Sequence, residues 1–294
     1  MSVVAAPSHA GSASRSRTAR LFLRNKVMMA GAIWIALVAL ASLLAPWLPL
    51  FDPIEMNPVN RLKPPSFAHP FGTDSFGRDV FSRAIHGGRI SLVVGLGVAV
   101  LSTIFGLSIG IVSGFYRHVD AVIMRVMDAI MSIPSILLAI ALVTINKPGL
   151  LTIIAAITVP EIPRVTRVVR SVVLSVREQT YIEAAIAVGT RPLKLLAHHV
   201  LPNAVAPLIV QGTFICALAV IIEASLSFLG AGTPAEIPSW GNMMAGGRTF
   251  IRNAPWILLC PGLMLGCTVL AINMLGDGLR DLIDPRLSRA AGLR

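Results

Sequence analysis

The chain has 294 residues, of which 55% are apolar; counting its 24 glycines the share reaches about 63%, against roughly 45–50% in an ordinary soluble domain. Charged residues make up only 13%, which excludes an intrinsically disordered chain and argues against a soluble globular one. The net charge of +11 would point to nucleic acid in a soluble protein, but in so apolar a chain it fits the basic loops on the inner side of a membrane.

Residues 1–19, rich in Ser, Ala and Arg without an apolar period, predict a disordered tail. Six stretches then approach the roughly 20 apolar residues that a spanning helix needs: 27–50, 90–114, 121–145, 149–173, 201–229 and 256–279. A cleavable leader is the competing reading of the first, with 27–38 as its apolar core and Ala39-Leu40-Ala41 as its cleavage site, but the apolar sequence runs on to Leu50. Segment 51–89 opens with prolines and ends in 76–86, an expected interfacial amphipathic helix. The fourth stretch is interrupted by Glu161, Arg164, Arg167 and Arg170. Segments 174–200 and 230–255 form the other long loops, and 290–294 a second tail.

With the N-terminus inside, the inner segments carry seventeen Lys and Arg and the outer segments eight. Both termini are therefore expected in the cytoplasm. All three cysteines (Cys216, Cys260, Cys267) fall in apolar runs, so no disulfide framework is implied.

The inner loop holds the most informative pattern, from Arg177 to Asn203. Residues 181–188 predict a short helix with Ile182, Ala185 and Ile186 on one side. Small Ala184 and Ala185 allow another protein to approach closely. Gly189 is placed to cap the helix, Pro192 restarts the chain, and Pro202 suits the first turn of the fifth spanning helix. Glu183-Ala184-Ala185, Gly189, Leu201 and Pro202 stand at the spacing of the EAA loop, and the chain resembles the permeases of ABC importers. His199 occupies a position where that pattern usually has Ile.

The resemblance extends from about Leu21 to Leu287. Phe71–Arg83 with Gly88-Arg89 is similar to the outer segment of the C-type subunits of dipeptide and oligopeptide permeases. So are the patches at Asp128…Ile133-Pro134…Leu137-Leu138, Glu223–Gly230, Pro238–Asn242 and Asp277–Arg286. Pro160-Glu-Ile-Pro-Arg164 departs from that branch, and its two prolines predict a kink in the fourth helix.

The resemblance implies an all-α membrane protein with the type I ABC importer permease fold and a cytoplasmic EAA coupling helix in the bacterial inner membrane. It also implies a homologous second permease, two ATPase subunits and an extracytoplasmic substrate-binding protein as partners. Glu183 would pair with a basic group on an ATPase, and Tyr181 belongs to the same coupling loop. No Gly-Lys dipeptide occurs, so this chain has no P-loop; ATP and Mg would sit on the partners, with no cofactor here. The implied cargo is short peptides, with nickel chelates or glutathione as the alternative.

Several residues call for a reading of their own. Gly106, Gly110 and Gly114, and again Gly262 and Gly266, recur every four residues, a spacing that lets helices cross closely within one subunit or between two. Asp128, Glu161 and Glu223 fall at membrane depth, where a carboxylate costs roughly 2.5–3.5 kcal/mol on an insertion scale. Each should face water or a partner; Asp128 and Glu223 are candidates for a substrate pathway, and Glu161 for pairing with Arg164. No metal-ligand spacing and no catalytic constellation stands out, and nucleic acid is not expected as a partner. An ion-driven secondary transporter is the rival class; it should show inverted repeats, and none is visible.

Overall fold

The computed structural model describes residues 25–146, 149–234 and 236–283. The expected tails at 1–19 and 290–294 lie outside these residues, as does the end of the Asp277–Arg286 patch.

Helix α1 (Lys26–Leu44) is capped by Asn25, whose side chain accepts from the Met28 N–H at 3.1 Å. A short 3-10 turn, Ala45–Trp47, ends it where Pro46 and Pro49 withhold backbone donors, so it stops short of the expected Leu50. Helix α2 (Val80–Phe115) has 36 residues, about 54 Å at the usual rise. Asp79 caps it by accepting from the Ser82 N–H at 2.7 Å. The separate interfacial helix expected at 76–86 is thus not formed: Gly77 turns with a φ of +76°, and the residues from Val80 onward are the first turns of α2.

The stretch expected as one helix over 121–145 is two, α3 (Arg117–Met131) and α4 (Ser135–Ile145), bent by 87°. Pro134 lies at the bend, where it lacks a donor and disfavours helix in the residue before it. Helix α5 (Leu150–Arg177) instead runs through Pro160 and Pro163 without a break. It is clamped along its length by α2, which runs parallel to it: a Cβ on Gly97, Gly106, Gly110 or Gly114 would meet Ile154, Val165, Val169 or Val173 in turn.

Then come α6 (Thr180–Ala187), α7 (Pro192–Leu195) and α8 (Leu201–Phe228). A π-turn at Leu196–Val200 joins the last two, so the helix begins well before the expected residue 201. The Leu201 N–H bonds Leu196 O across this turn, and Pro202, with no N–H to donate, follows directly. Helices α9 (Trp240–Gly247) and α10 (Trp256–Ile283) complete the described chain.

The largest core joins α2, α4, α5 and α8 through Val98, Ile153, Ile157, Val169 and Leu226. A second cluster sets Val38 of α1 and Ile272 of α10 against Val220 and Trp240. Among the described residues, four helical stretches are long and apolar enough to cross a membrane (26–47, 80–115, 196–228 and 256–282), and α3 with α4 makes a fifth if the bent pair is one span. Helix α5, expected as a span, is not among them, because Glu161, Arg164 and Arg167 interrupt its apolar run.

Candidate functional site

Helix α6 lies at one end of the bundle, beside the C-termini of α2 and α5 and the N-terminus of α8. Ile182 is buried at 3% exposure and anchors it. Beneath it a cavity of about 220 Å³ is lined by Phe115, Val176, Ile186, Leu195 and Val200. Its C-terminus is a Schellman cap: the Gly189 N–H donates to Ile186 O at 2.9 Å and the Thr190 N–H to Ala185 O at 3.0 Å. Gly189 adopts a φ of +84°, which an L side chain resists. Tyr181 packs on the His199 ring with centroids 5.6 Å apart, so the His199 departure sits against the first turn of α6.

What α6 leaves uncovered is informative. Glu183 and Ala184 are exposed, and the Glu183 carboxylate has no hydrogen-bond or ion-pair partner among the described residues. Ala185 is half-buried against the core. Ile186 and Val188 are exposed, Val188 at 87%, and a Cβ on Gly189 would touch nothing within 4 Å. Leu201 and Pro202 are exposed as well. The helix thus displays small and apolar side chains around a carboxylate that has no partner among the described residues.

Arg177, to which the sequence reading gave no role, ties this end together. Its Nη1 donates to Gly114 O at 2.9 Å and Phe115 O at 3.1 Å, the last carbonyls of α2, and its guanidinium lies over the Phe115 ring. The signal was present: a basic residue three positions before the loop helix, where helix C-termini attract positive charge.

The opposite end is a clasp built from segment 51–79, α9 and the adjoining helix ends. Asp74 accepts from the Phe76 and Arg78 N–H groups and pairs with Arg78 Nε at 2.7 Å. Asp79 also meets His69 Nδ1 at 2.9 Å. Arg83 Nη1 donates to Pro53 O, and Trp256 Nε1 to Thr73 O. In Pro238–Asn242, Ser239 caps α9, Trp240 Nε1 donates to Ala84 O at 2.9 Å, and the Asn242 amide reaches Thr233 and Ile237.

The carboxylates at membrane depth differ sharply. Glu223 is fully buried; it accepts from Ser91 at 3.0 Å and Ser227 at 2.8 Å, with Ser239 alongside, and opens to no surface of this chain. Asp128 is exposed and pairs with Arg167 at 2.6 Å. Glu161 is buried with Arg164 Nε 3.5 Å away and no hydrogen bond to either oxygen. Gly106, Gly110 and Gly114 pack within the chain, against α5. A Cβ on Gly262 would only touch Met244, and on Gly266 nothing. Among the described residues no three His, Cys, Asp or Glu side chains converge as a metal site.

Residues 90–289 match the family model described as the binding-protein-dependent transport system inner membrane component. The chain belongs to this family. It is therefore a multi-pass inner-membrane transport component, and residues 15–65 match the N-terminal transmembrane domain of oligopeptide transport permease C. A probable peptide ABC transporter permease of Sinorhizobium fredii is 50% identical over 270 residues, 92% of each chain. The dipeptide transport system permease of Alkalihalophilus pseudofirmus is 44% identical, over 90% of this chain and 87% of its own. The oligopeptide transport system permease of Bacillus subtilis is 39% identical over 91% and 88%. In fold, the chain matches the inward-facing MetNI methionine ABC transporter with a TM-score of 0.60 at 20% identity, over 69% of this chain and 98% of that one. The all-α, type I importer architecture follows from that likeness.

Proposed function

We propose that this chain is one permease subunit of an ATP-driven importer that moves short peptides, delivered by an external binding protein, across the inner membrane. The cargo is carried over from relatives whose names specify peptide, dipeptide or oligopeptide transport. In this reading a homologous second permease completes the pathway, and two ATPase subunits supply ATP hydrolysis. Helix α5 spans with the others, giving six spans and both termini in the cytoplasm; it parallels α2 along its length.

One observation carries the reading: α6 is built and capped from within the chain, yet its Glu183 side chain has no partner among the described residues, Ala184 is exposed, and a Cβ on Gly189 would meet open space. Glu183 would pair with a cation on the ATPase, and Gly189 would turn the chain away from the docked surface. Movement of α6 would pass through Arg177 to the end of α2 and through Val176 into α5.

The test is to tag the chain, purify it gently from its native membrane and identify its companions by mass spectrometry. A second permease with P-loop ATPases, and ATP-dependent uptake of peptide by the reconstituted complex, are the expected results. Recovery of this chain alone, under conditions that preserve a known ABC complex, favours an ion-driven transporter and overturns the proposal.

A further inference from the structure

On α5, Arg164, Arg167, Ser171 and Ser175 are exposed and recur every three or four residues, which sets them along one side of the helix. The two arginine side chains are each 45% exposed. Their depth is fixed by α2, whose Gly106 and Gly114 lie against Val165 and Val173. At 1.5 Å per residue Arg164 lies about 15 Å, and Arg167 about 10 Å, from the end of α2 at Phe115. Where Phe115 marks the inner boundary of the hydrocarbon core, which is about 30 Å thick, Arg164 lies about halfway into it and Arg167 about a third of the way. The neighbouring stretch of α2 is accordingly apolar and exposed at Ile104 and Phe105.

Charges at that depth face water or an opposite charge rather than lipid. Within the chain they are only partly engaged. Asp120 holds Arg170 through two hydrogen bonds of 2.6 Å. Arg167 has one bond to Asp128, a carboxylate that is itself 61% exposed. Arg164 meets only Glu161, at 3.5 Å and outside hydrogen-bond geometry, so its two terminal nitrogens have no partner among the described residues.

We infer that the Arg164–Arg167 side of α5 lines a water-filled route through the membrane and that Arg164 is a transient station for the carboxylate of a passing peptide. The inference rests on the proposed function and adds to it a contact for the cargo. A guanidinium presents paired donors that match a carboxylate. A single partly engaged arginine holds such a group loosely, as a conduit must if the cargo is to leave.

The test uses the whole complex, reconstituted with its binding protein, with Cys216, Cys260 and Cys267 replaced by Ser and Arg164→Cys added. Position 164 should react with a water-soluble aminoethyl methanethiosulfonate before ATP is supplied, and a transported peptide in excess should slow the reaction. Peptide uptake should fall about tenfold or more, the loss expected for one charge-assisted hydrogen bond. It should recover when the cationic aminoethyl group is attached and not when a neutral methylthio group is, while Arg164→Lys retains most of the activity.

Absence of reaction at position 164 places the side chain against lipid or protein and overturns the inference. Unchanged uptake, or equal recovery with the neutral group, does the same. If Arg164→Cys and Arg164→Lys both prevent assembly, the arginine is a contact between subunits and the inference also fails. A parent complex that hydrolyses ATP but takes up no peptide overturns the proposed function itself, whatever position 164 does.

Discussion

The two ends of this bundle use polar residues in opposite ways. At the clasp, almost every polar side chain of the Phe71–Arg83 and Pro238–Asn242 patches meets a partner inside the chain: Asp74 with Arg78, Asp79 with His69 and the α2 cap, Trp240 with Ala84, Asn242 with Thr233. At the α6 end the residues of the motif are held in place but not used. Gly189 and Ile182 shape and seat the helix, while Ala184 is exposed and the Glu183 side chain has no partner among the described residues. A short motif in sequence therefore has two physical meanings. Where its groups are satisfied internally it builds the subunit; where they are left open it addresses another protein.

Changes at the two ends should separate these meanings. The largest effect is expected for Glu183→Arg, which reverses the one unpaired charge on α6. ATP-driven peptide uptake should fall to background, while the amount of inserted protein and its thermal midpoint stay close to the parent, within the roughly ±0.5 kcal/mol usual for exposed sites. Normal uptake by this variant removes the distinction between the two ends.

Next in size is Gly106→Leu, in the seam that joins the two ends. A Cβ there would already overlap Val165 Cβ, so α2 and α5 must part. Overpacking of this kind costs about 1–3 kcal/mol or more, and the measurement is the yield of folded chain in the membrane.

Asp79→Ala sharpens the comparison from the clasp side. It removes the α2 cap and the His69 contact together, and should cost about 1–3 kcal/mol. Its signature is a lowered unfolding temperature with near-parent uptake per folded molecule, the reverse of Glu183→Arg. Gly189→Ala comes last, with a local cost of about 1–2 kcal/mol for an L residue in the left-handed region. It should be confined to α6, where faster amide exchange at Gly189 and Thr190 would report the loosened cap.

Much of this architecture was legible in the sequence. The apolar stretches, the loop helix near residues 181–188 and its glycine cap follow from hydropathy, small-residue pattern and backbone preference, all local properties. What local reasoning missed was set by contacts across the chain. Asp79 extended α2 outward because it caps that helix and meets His69 at once. Pro160 and Pro163 did not interrupt α5, because the glycine seam of α2 holds it on both sides of them, whereas Pro134, beside no such seam, marks an 87° bend. Glu223 read as a pathway carboxylate from its depth alone. Only the fold brings Ser91, 132 positions earlier, against it and closes it off. Arg177 showed in the sequence only as a basic residue near a helix end; its partners, the last carbonyls of α2, come from the fold.

The central claim is that the exposed side of α6 is the docking point for an ATPase. The direct measurement is a cross-link from that side, with Ala184→Cys carrying a short photoactivated probe, made in native membranes and analysed by mass spectrometry. The account predicts that the probe captures a P-loop ATPase subunit, and that Glu183→Arg in the same chain abolishes the capture. Capture of an extracytoplasmic binding protein, or reaction with a reagent confined to the outside of the cell, would contradict it.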